Sequence, residues 1–159
     1  DGLEYLSRYP NLLVSRTFSK AYGLAALRVG YGISSAPVAD VLNRVRQPFN
    51  VNSLALAAAC AALSDSEYLA DSRRVNDAGM AQLQDGLRAM DLSWIPSRGN
   101  FIAVDLGRES MPLYQALLRE GVIVRPVANY GMPHHLRVSI GLPEENARFL
   151  EALAKVLDA

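Results

Sequence analysis

The chain has 159 residues, and 16 Lys and Arg residues balance 16 Asp and Glu residues, so the formal net charge is zero. A nucleic-acid-binding face or a polybasic membrane patch needs an excess of positive charge that this composition lacks. Half of the residues are apolar and 20% are charged, which is typical of a globular protein and excludes a disordered or fibrous chain.

Cysteine content and the first residues favour a cytoplasmic protein that is part of a longer one. Cys60 is the single cysteine, so no disulfide can form within the chain. No apolar run approaches the ~20 residues that span a bilayer. The opening D-G-L-E lacks Met and the basic and apolar regions of a signal peptide. We therefore expect a fragment of a longer cytoplasmic chain.

In the first part of the chain, apolar runs predict two strands on either side of a polar turn. The pattern predicts a strand over 11–15, a tight segment over 19–27 and a strand over 28–34. Pro37 begins a predicted helix that Pro48 stops, and a second helix follows over 53–63. The order of strand, turn and strand indicates an edge where side chains are displayed.

A long amphipathic helix over 65–90 exceeds the length of a typical globular helix, so we expect it to join two domains. Beyond it, the predicted strands are 94–95, 100–106, 122–125 and 136–140, and the predicted helices are 111–120 and 143–157. Residues 1–64 are thus expected to end a larger domain, and residues 65–159 to form a linking helix and a small α/β or α+β domain.

The segment around Lys20 carries the chemistry. Of the 16 cationic residues, 14 are Arg and only Lys20 and Lys155 are Lys. Because the chain otherwise uses Arg for its positive charges, a lysine in an apolar, glycine-containing segment indicates a specific role for its amine. A nucleophilic lysine and a phosphate-binding set of hydroxyls with a guanidinium are both available here. Ser19 and Thr17 supply the hydroxyls, and Arg28 supplies the guanidinium. The alternative interpretation is an exposed turn lysine beside an arginine that forms an ordinary ion pair.

Four motifs carry a resemblance to a known family. They are R-T-F-S-K-A-Y-G-L-A-A-L-R-V-G-Y-G at 16–32, P-S-R-G-N-F-I-A-V-D at 96–105, G-V-I-V-R-P at 121–126 and L-R-V-S-I-G-L-P-E-E-N at 136–146. In this order they closely resemble the class I/II aminotransferases, pyridoxal-phosphate enzymes of fold type I, and within them the histidinol-phosphate aminotransferase branch. The resemblance implies an α/β fold: the end of the large cofactor domain, followed by the small C-terminal α/β sandwich domain.

The resemblance also implies roles for individual residues. Lys20 would bond covalently to the pyridoxal 5'-phosphate aldehyde and move the substrate proton, while Ser19 and Arg28 would bind the cofactor phosphate. We expect the nearby hydroxyl of Thr17 to contribute to the same phosphate site. Arg137 binds the α-carboxylate of the amino acid through a bidentate pair. Arg125 matches a position that contacts the substrate phosphate in the histidinol-phosphate branch. No metal is implied.

The family further implies an active site that this chain holds only in part. The aspartate and the tyrosine that contact the cofactor ring precede the lysine motif by some distance, and only 19 residues precede Lys20. We expect this chain alone to have little or no transaminase activity. The full-length enzyme is expected to be a homodimer that binds neither nucleic acid nor membrane.

Three alternatives stay open at this point. Arg137 can instead cap a sheet edge, and a basic residue near Arg125 occurs in aminotransferases with other substrates. The substrate can be aromatic or broad, or the enzyme can be a threonine-phosphate decarboxylase. A different class of function is a non-catalytic oligomerisation module, although such a module has no need of Ser19, Lys20, Arg28 and Arg137 together.

Overall fold

A computed structural model describes residues 1–158. The chain forms two compact units, one over Asp1–Ser72 and one that begins at Arg73. Both combine helices with a β-sheet, and the predicted α/β fold class is confirmed. The assignment of 1–64 to a large domain and 65–159 to a linking helix and small domain stays a prediction. In the described part of the chain, no helix is both long and apolar enough to cross a membrane.

The first unit is built on an antiparallel pair of strands. Strand β1 is Leu13–Thr17 and strand β2 is Gly30–Ser34, with Thr17 opposite Gly30. Helix α1 is Ala36–Val45, helix α2 is Ser53–Ser64, and short 3-10 helices lie at Gly2–Tyr5 and Ala25–Leu27. The predicted strands and helices of this unit are all found, and their ends lie within three residues of the predicted ones.

A small core supports the turn between β1 and β2. Phe18 is 3% exposed and is buried with Val29, Ala55 and Ala59. Asn52 caps α2, because its Oδ1 accepts a hydrogen bond from the Ala55 backbone N at 2.8 Å. This packing anchors Phe18, so the residues that follow it along the chain are held on a fixed base.

Helix α3 runs over Ser66–Ala89 and confirms the predicted long helix. The Asp65 carboxylate accepts a hydrogen bond from the Tyr68 backbone N at 2.9 Å, which caps the first turn. At the other end, Asp91 has a left-handed φ of 54° and the Leu92 N donates to the Leu87 O at 3.0 Å. That geometry ends the helix and satisfies one of its last carbonyls.

The second unit contains a four-stranded antiparallel sheet in the order β3-β4-β6-β5. The strands are β3 Ser93–Ile95, β4 Phe101–Asp105, β5 Arg125–Pro126 and β6 His135–Ser139, and the helices after α3 are α4 Ser110–Arg119 and α5 Pro143–Leu157. The first residue of α5 is Pro143, as predicted.

Side chains alternate between the two faces of this sheet. Ile102, Val104, Leu136 and Val138 are buried in a core with side chains of α3, α4 and α5. The intervening residues of β4 and β6, Arg137 among them, therefore point to the opposite face.

The predicted strand 122–125 is wrong in extent. Only Arg125 and Pro126 pair with β6. The Val122 N instead donates to the Leu117 O at 2.9 Å and closes the end of α4. Pro126 has no N–H to donate, so the ladder cannot continue through its nitrogen.

Candidate active site

The turn that follows β1 displays Lys20. Leu24 N donates to Phe18 O at 2.9 Å and Gly23 N donates to Lys20 O at 2.8 Å, so backbone hydrogen bonds fix the turn. Gly23 has a φ of +70°, a left-handed conformation that suits glycine. The Lys20 side chain is exposed. A buried phenylalanine and a closed turn thus present the amine to solvent on a rigid base.

Arg28 turns back toward this segment. Its φ of 54° is left-handed, and it lies before β2 rather than inside the predicted strand 28–34. Its Nη1 donates to the Ser19 Oγ at 3.3 Å and to the Ala25 O at 2.6 Å. The left-handed conformation costs backbone energy, so the contacts that hold the guanidinium beside Ser19 must offset it.

Thr17 completes this group. The Ser19 backbone N donates to the Thr17 Oγ1 at 3.1 Å, so the structure brings together the three residues predicted to bind the cofactor phosphate. Within residues 1–158, no carboxylate forms an ion pair with Lys20 or Arg28. Two hydroxyls and an unneutralised guanidinium are the donors that bind phosphate in proteins.

The second unit contains a separate pair of arginines. Arg125 on β5 is the register partner of Arg137 on β6, so both side chains leave the sheet on the same face. They line one cleft of about 400 Å³, which also includes Ser139, Gly141 and Phe149. Like charges opposite each other on a sheet are unfavourable, and a bound anion removes that cost.

Arg137 is held by an aromatic ring rather than by a carboxylate. Its guanidinium carbon lies 5.0 Å from the centre of the Phe101 ring, within the range of a cation–π contact. Its Nε is buried and has no hydrogen-bond partner among the residues that the structure describes. An orphaned buried donor calls for a partner, and a ligand bound beside Arg137 would supply one.

The sequence did not single out Phe101, whose ring contacts the Arg137 guanidinium. It is 38% exposed at the start of a strand whose next residue, Ile102, is fully buried. In the sequence, the sign of such a residue is an aromatic side chain at a strand position that alternates with core residues. The cleft residue Glu145 was also missed; its Oε2 accepts a hydrogen bond from the Leu142 backbone N at 2.8 Å.

Comparison with known proteins identifies the class of protein to which this fold belongs. The family model described as aminotransferase class I and II matches residues 3–153. The chain belongs to this family.

Two relatives from pseudomonads are both named histidinol-phosphate aminotransferase 2. The chain is 79% identical over 157 residues to the protein of Pseudomonas fluorescens strain Pf-5 and 80% identical over 157 residues to that of Pseudomonas aeruginosa. Each alignment covers 99% of this chain and 42% of the relative. The chain therefore spans less than half the length of these proteins.

A solved structure has the same fold. The histidinol-phosphate aminotransferase of Sinorhizobium meliloti, in complex with pyridoxal-5'-phosphate, superimposes with a TM-score of 0.82 at 31% identity. The match covers 94% of this chain and 42% of that one. This confirms the predicted fold type.

Proposed function

We propose that this chain contributes the reactive lysine and the anion-binding arginines of a pyridoxal 5'-phosphate-dependent aminotransferase. The reaction is amino transfer between L-histidinol phosphate and 2-oxoglutarate, a step of histidine biosynthesis. The names of the pseudomonad relatives support histidinol phosphate as the substrate. The pyridoxal-5'-phosphate in the Sinorhizobium structure supports the same cofactor for this protein. The proposal concerns the full-length protein.

The single observation that carries the proposal is the hydrogen bond from Arg28 to Ser19, directly beside Lys20. A phosphate fits this group, because the arginine has no carboxylate partner within residues 1–158 and two hydroxyls lie next to it. Ser19, Thr17 and Arg28 would hold the cofactor phosphate. When bound, the cofactor supplies an electron sink for negative charge at the substrate α-carbon.

Lys20 then has two tasks. Its Nζ would hold the cofactor covalently, and the free amine would act as the general base for the proton on the substrate α-carbon. The turn fixes the Lys20 backbone, and the exposed side chain leaves the amine accessible to a cofactor. Proton transfer requires that the bound cofactor and substrate then hold the nitrogen in position.

The two substrates differ in their anionic groups, and the arginine pair suits both. Glutamate and 2-oxoglutarate carry an α-carboxylate, for which Arg137 is the proposed bidentate partner. Histidinol phosphate carries a phosphate and no carboxylate, and Arg125 is the proposed contact for that phosphate. Their shared register position supports one cleft that receives each anion in turn.

We further propose a cytoplasmic homodimer that does not bind nucleic acid or membranes. The balanced charge of the chain supports the absence of a nucleic-acid-binding or membrane-binding face.

The test uses the full-length product of the gene that encodes these residues, loaded with pyridoxal phosphate. We expect amino transfer from histidinol phosphate to 2-oxoglutarate, and a loss of at least about a hundredfold in kcat for Lys20→Ala. Arg125→Ala should raise KM for histidinol phosphate far more than KM for phenylalanine. Equal KM changes for both substrates would remove the phosphate role, and full activity of Lys20→Ala would refute the mechanism.

A further inference from the structure

A buried carboxamide closes the turn between β6 and α5. Asn146 is 2% exposed, and its Oδ1 accepts a hydrogen bond from Gly141 N at 2.9 Å. Its Nδ2 donates to Gly141 O and to Gln82 Oε1, each at 3.1 Å. A buried amide whose donors and acceptor are all used fixes its partners, because each lost bond leaves a buried polar group unpaired.

Gln82, on α3, holds the same turn at a second point. Its Nε2 donates to the Pro143 O at 2.9 Å. Gly79, three residues earlier, lets the helix approach closely, since a Cβ there would lie 2.6 Å from Ile140 Cγ2 and 2.9 Å from Asn146 Nδ2. The turn is therefore clamped against α3 by two side-chain amides and a glycine contact.

The clamped turn is a wall of the arginine cleft. Gly141 and Asn146 line this cleft together with Arg137, and the turn begins directly after β6. The Ile140 N donates to the Asn100 O at 2.9 Å, which ties the end of β6 to the residue before Phe101. Gln82 does not line the cleft, so it can act there only through the turn.

We propose that Gln82 and Asn146 are positioning residues for anion binding by Arg125 and Arg137. They hold residues 140–143 in one conformation before an anion enters the cleft. Anion binding therefore does not have to order this turn. Preorganisation of this kind raises affinity because the ordering cost is met during folding. The inference rests on the proposed function, in which this cleft receives the anionic groups of the substrates.

The test is a titration of the isotopically labelled full-length protein, loaded with pyridoxal phosphate so that the Ser19 group is filled, with inorganic phosphate at low ionic strength. The Arg137 Nε–H and Gly141 N–H signals are followed by NMR. We expect Gln82→Leu to weaken phosphate binding about fivefold, the loss expected for one or two hydrogen bonds. Gly141 amide exchange should also become faster before phosphate is added. If the leucine variant does not fold, Gln82→Ala replaces it.

Two controls separate positioning from stability. Gln84→Leu makes the same substitution two residues further along α3, at a side chain without a hydrogen bond among the described residues, and should leave phosphate affinity within twofold of the original. Val156→Ala removes buried volume in α5 and lowers Tm without touching the turn. It should also leave phosphate affinity unchanged.

The outcomes separate the positioning role of Gln82 from the anion-binding role of the cleft. Equal phosphate affinity in the Gln82 and Gln84 variants, or an equal loss in Val156→Ala at matched Tm, overturns the positioning role alone. A chain whose Arg137 signal does not respond to phosphate overturns both the positioning role and the anion role proposed for the cleft. Weaker binding confined to the Gln82 variant supports the positioning role.

Discussion

Arg125 and Arg137 lie directly opposite each other on neighbouring antiparallel strands and line the same cleft. Neither forms an ion pair with a carboxylate within residues 1–158. Folding thus places two positive charges together, at a cost that an anion would offset. If Arg137 only capped the edge of the sheet, a second arginine directly opposite it would not be needed.

The first prediction is that Arg125→Met stabilises the ligand-free chain. Removing one of two opposed charges should raise the free energy of unfolding by about 0.5 kcal/mol at low ionic strength. The gain should shrink at high salt, which screens the repulsion. Urea denaturation at two chloride concentrations measures both effects. Arg98→Met is the control, because that exposed arginine has no ion-pair partner among residues 1–158; an equal gain there would show that the opposition of Arg125 and Arg137 is not the cause.

The second prediction concerns the phosphate group around Ser19. In the full-length protein, Ser19→Ala should weaken pyridoxal phosphate binding about tenfold, because a hydrogen bond to a charged group is lost. Binding of pyridoxal, which lacks the phosphate, should not change. Equilibrium binding of both compounds provides the measurement. Ser15→Ala on the exposed part of β1 is the matched control, and an equal loss for pyridoxal would show that Ser19 does not act on the phosphate.

The third prediction concerns Gly23 in the lysine turn. Gly23→Ala should destabilise the chain by about 1 kcal/mol, because a left-handed φ is costly for alanine. The Tyr68 hydroxyl oxygen would lie 2.7 Å from the added Cβ, but it is the far end of a half-exposed side chain that can move away. Gly121→Ala, with a φ of +77° and no atom within 4 Å of the added Cβ, should cost a similar amount. Thermal or urea unfolding compares them, and a clearly larger loss for Gly23→Ala would show that the tyrosine cannot move.

The fourth prediction is a pH dependence that involves the other lysine. Lys155 Nζ donates a hydrogen bond to Glu120 Oε2 at 2.9 Å, and it lies 2.8 Å from Oε1 of the same carboxylate. This hydrogen bond lowers the pKa of Glu120 below its ordinary value of 4.5, with smaller attraction from Arg148, while burial opposes the shift. Since the folded-state pKa is the lower one, the pair stabilises the fold above pH 4.5, and that contribution is lost as the pH falls through the folded-state value.

Lys155→Met should therefore raise the pKa of Glu120 in an NMR titration of its carboxyl group. It should also lower the free energy of unfolding at pH 7 but not at a pH below the folded-state pKa. Lys155→Arg keeps the positive charge and should retain most of the stabilisation. An unchanged Glu120 pKa in the methionine variant would show that the pair has no electrostatic role. Lys155 thus has a structural explanation that Lys20 lacks.

Local signals predicted much of the fold. Helix α5 begins at Pro143 and ends at Leu157 as predicted, because proline and two acidic residues mark its first turn and the apolar period continues to its end. Helix α3 was similarly evident from its long amphipathic pattern. These features depend on neighbours along the chain, so the sequence alone contains them.

Features that depend on distant contacts were not predictable. Arg28 adopts a left-handed φ that its residue type disfavours, and the contact with Ser19 exists only in the folded turn. The short length of β5 and the opposition of Arg125 to Arg137 depend on how the segment between them folds. The burial of Asn146 could not be predicted from the pattern of apolar residues. An asparagine near the start of a helix usually indicates a cap or a turn.

The most direct test of the central claim is to locate the lysine that bonds to the cofactor. The full-length protein is incubated with pyridoxal phosphate, reduced with borohydride, digested and analysed by mass spectrometry. We expect one adduct per chain on the peptide that contains Lys20, with none on the Lys155 peptide and none at either site in Lys20→Ala. An adduct that persists in Lys20→Ala at the original yield, or a protein that acquires no adduct on the Lys20 peptide, would contradict it.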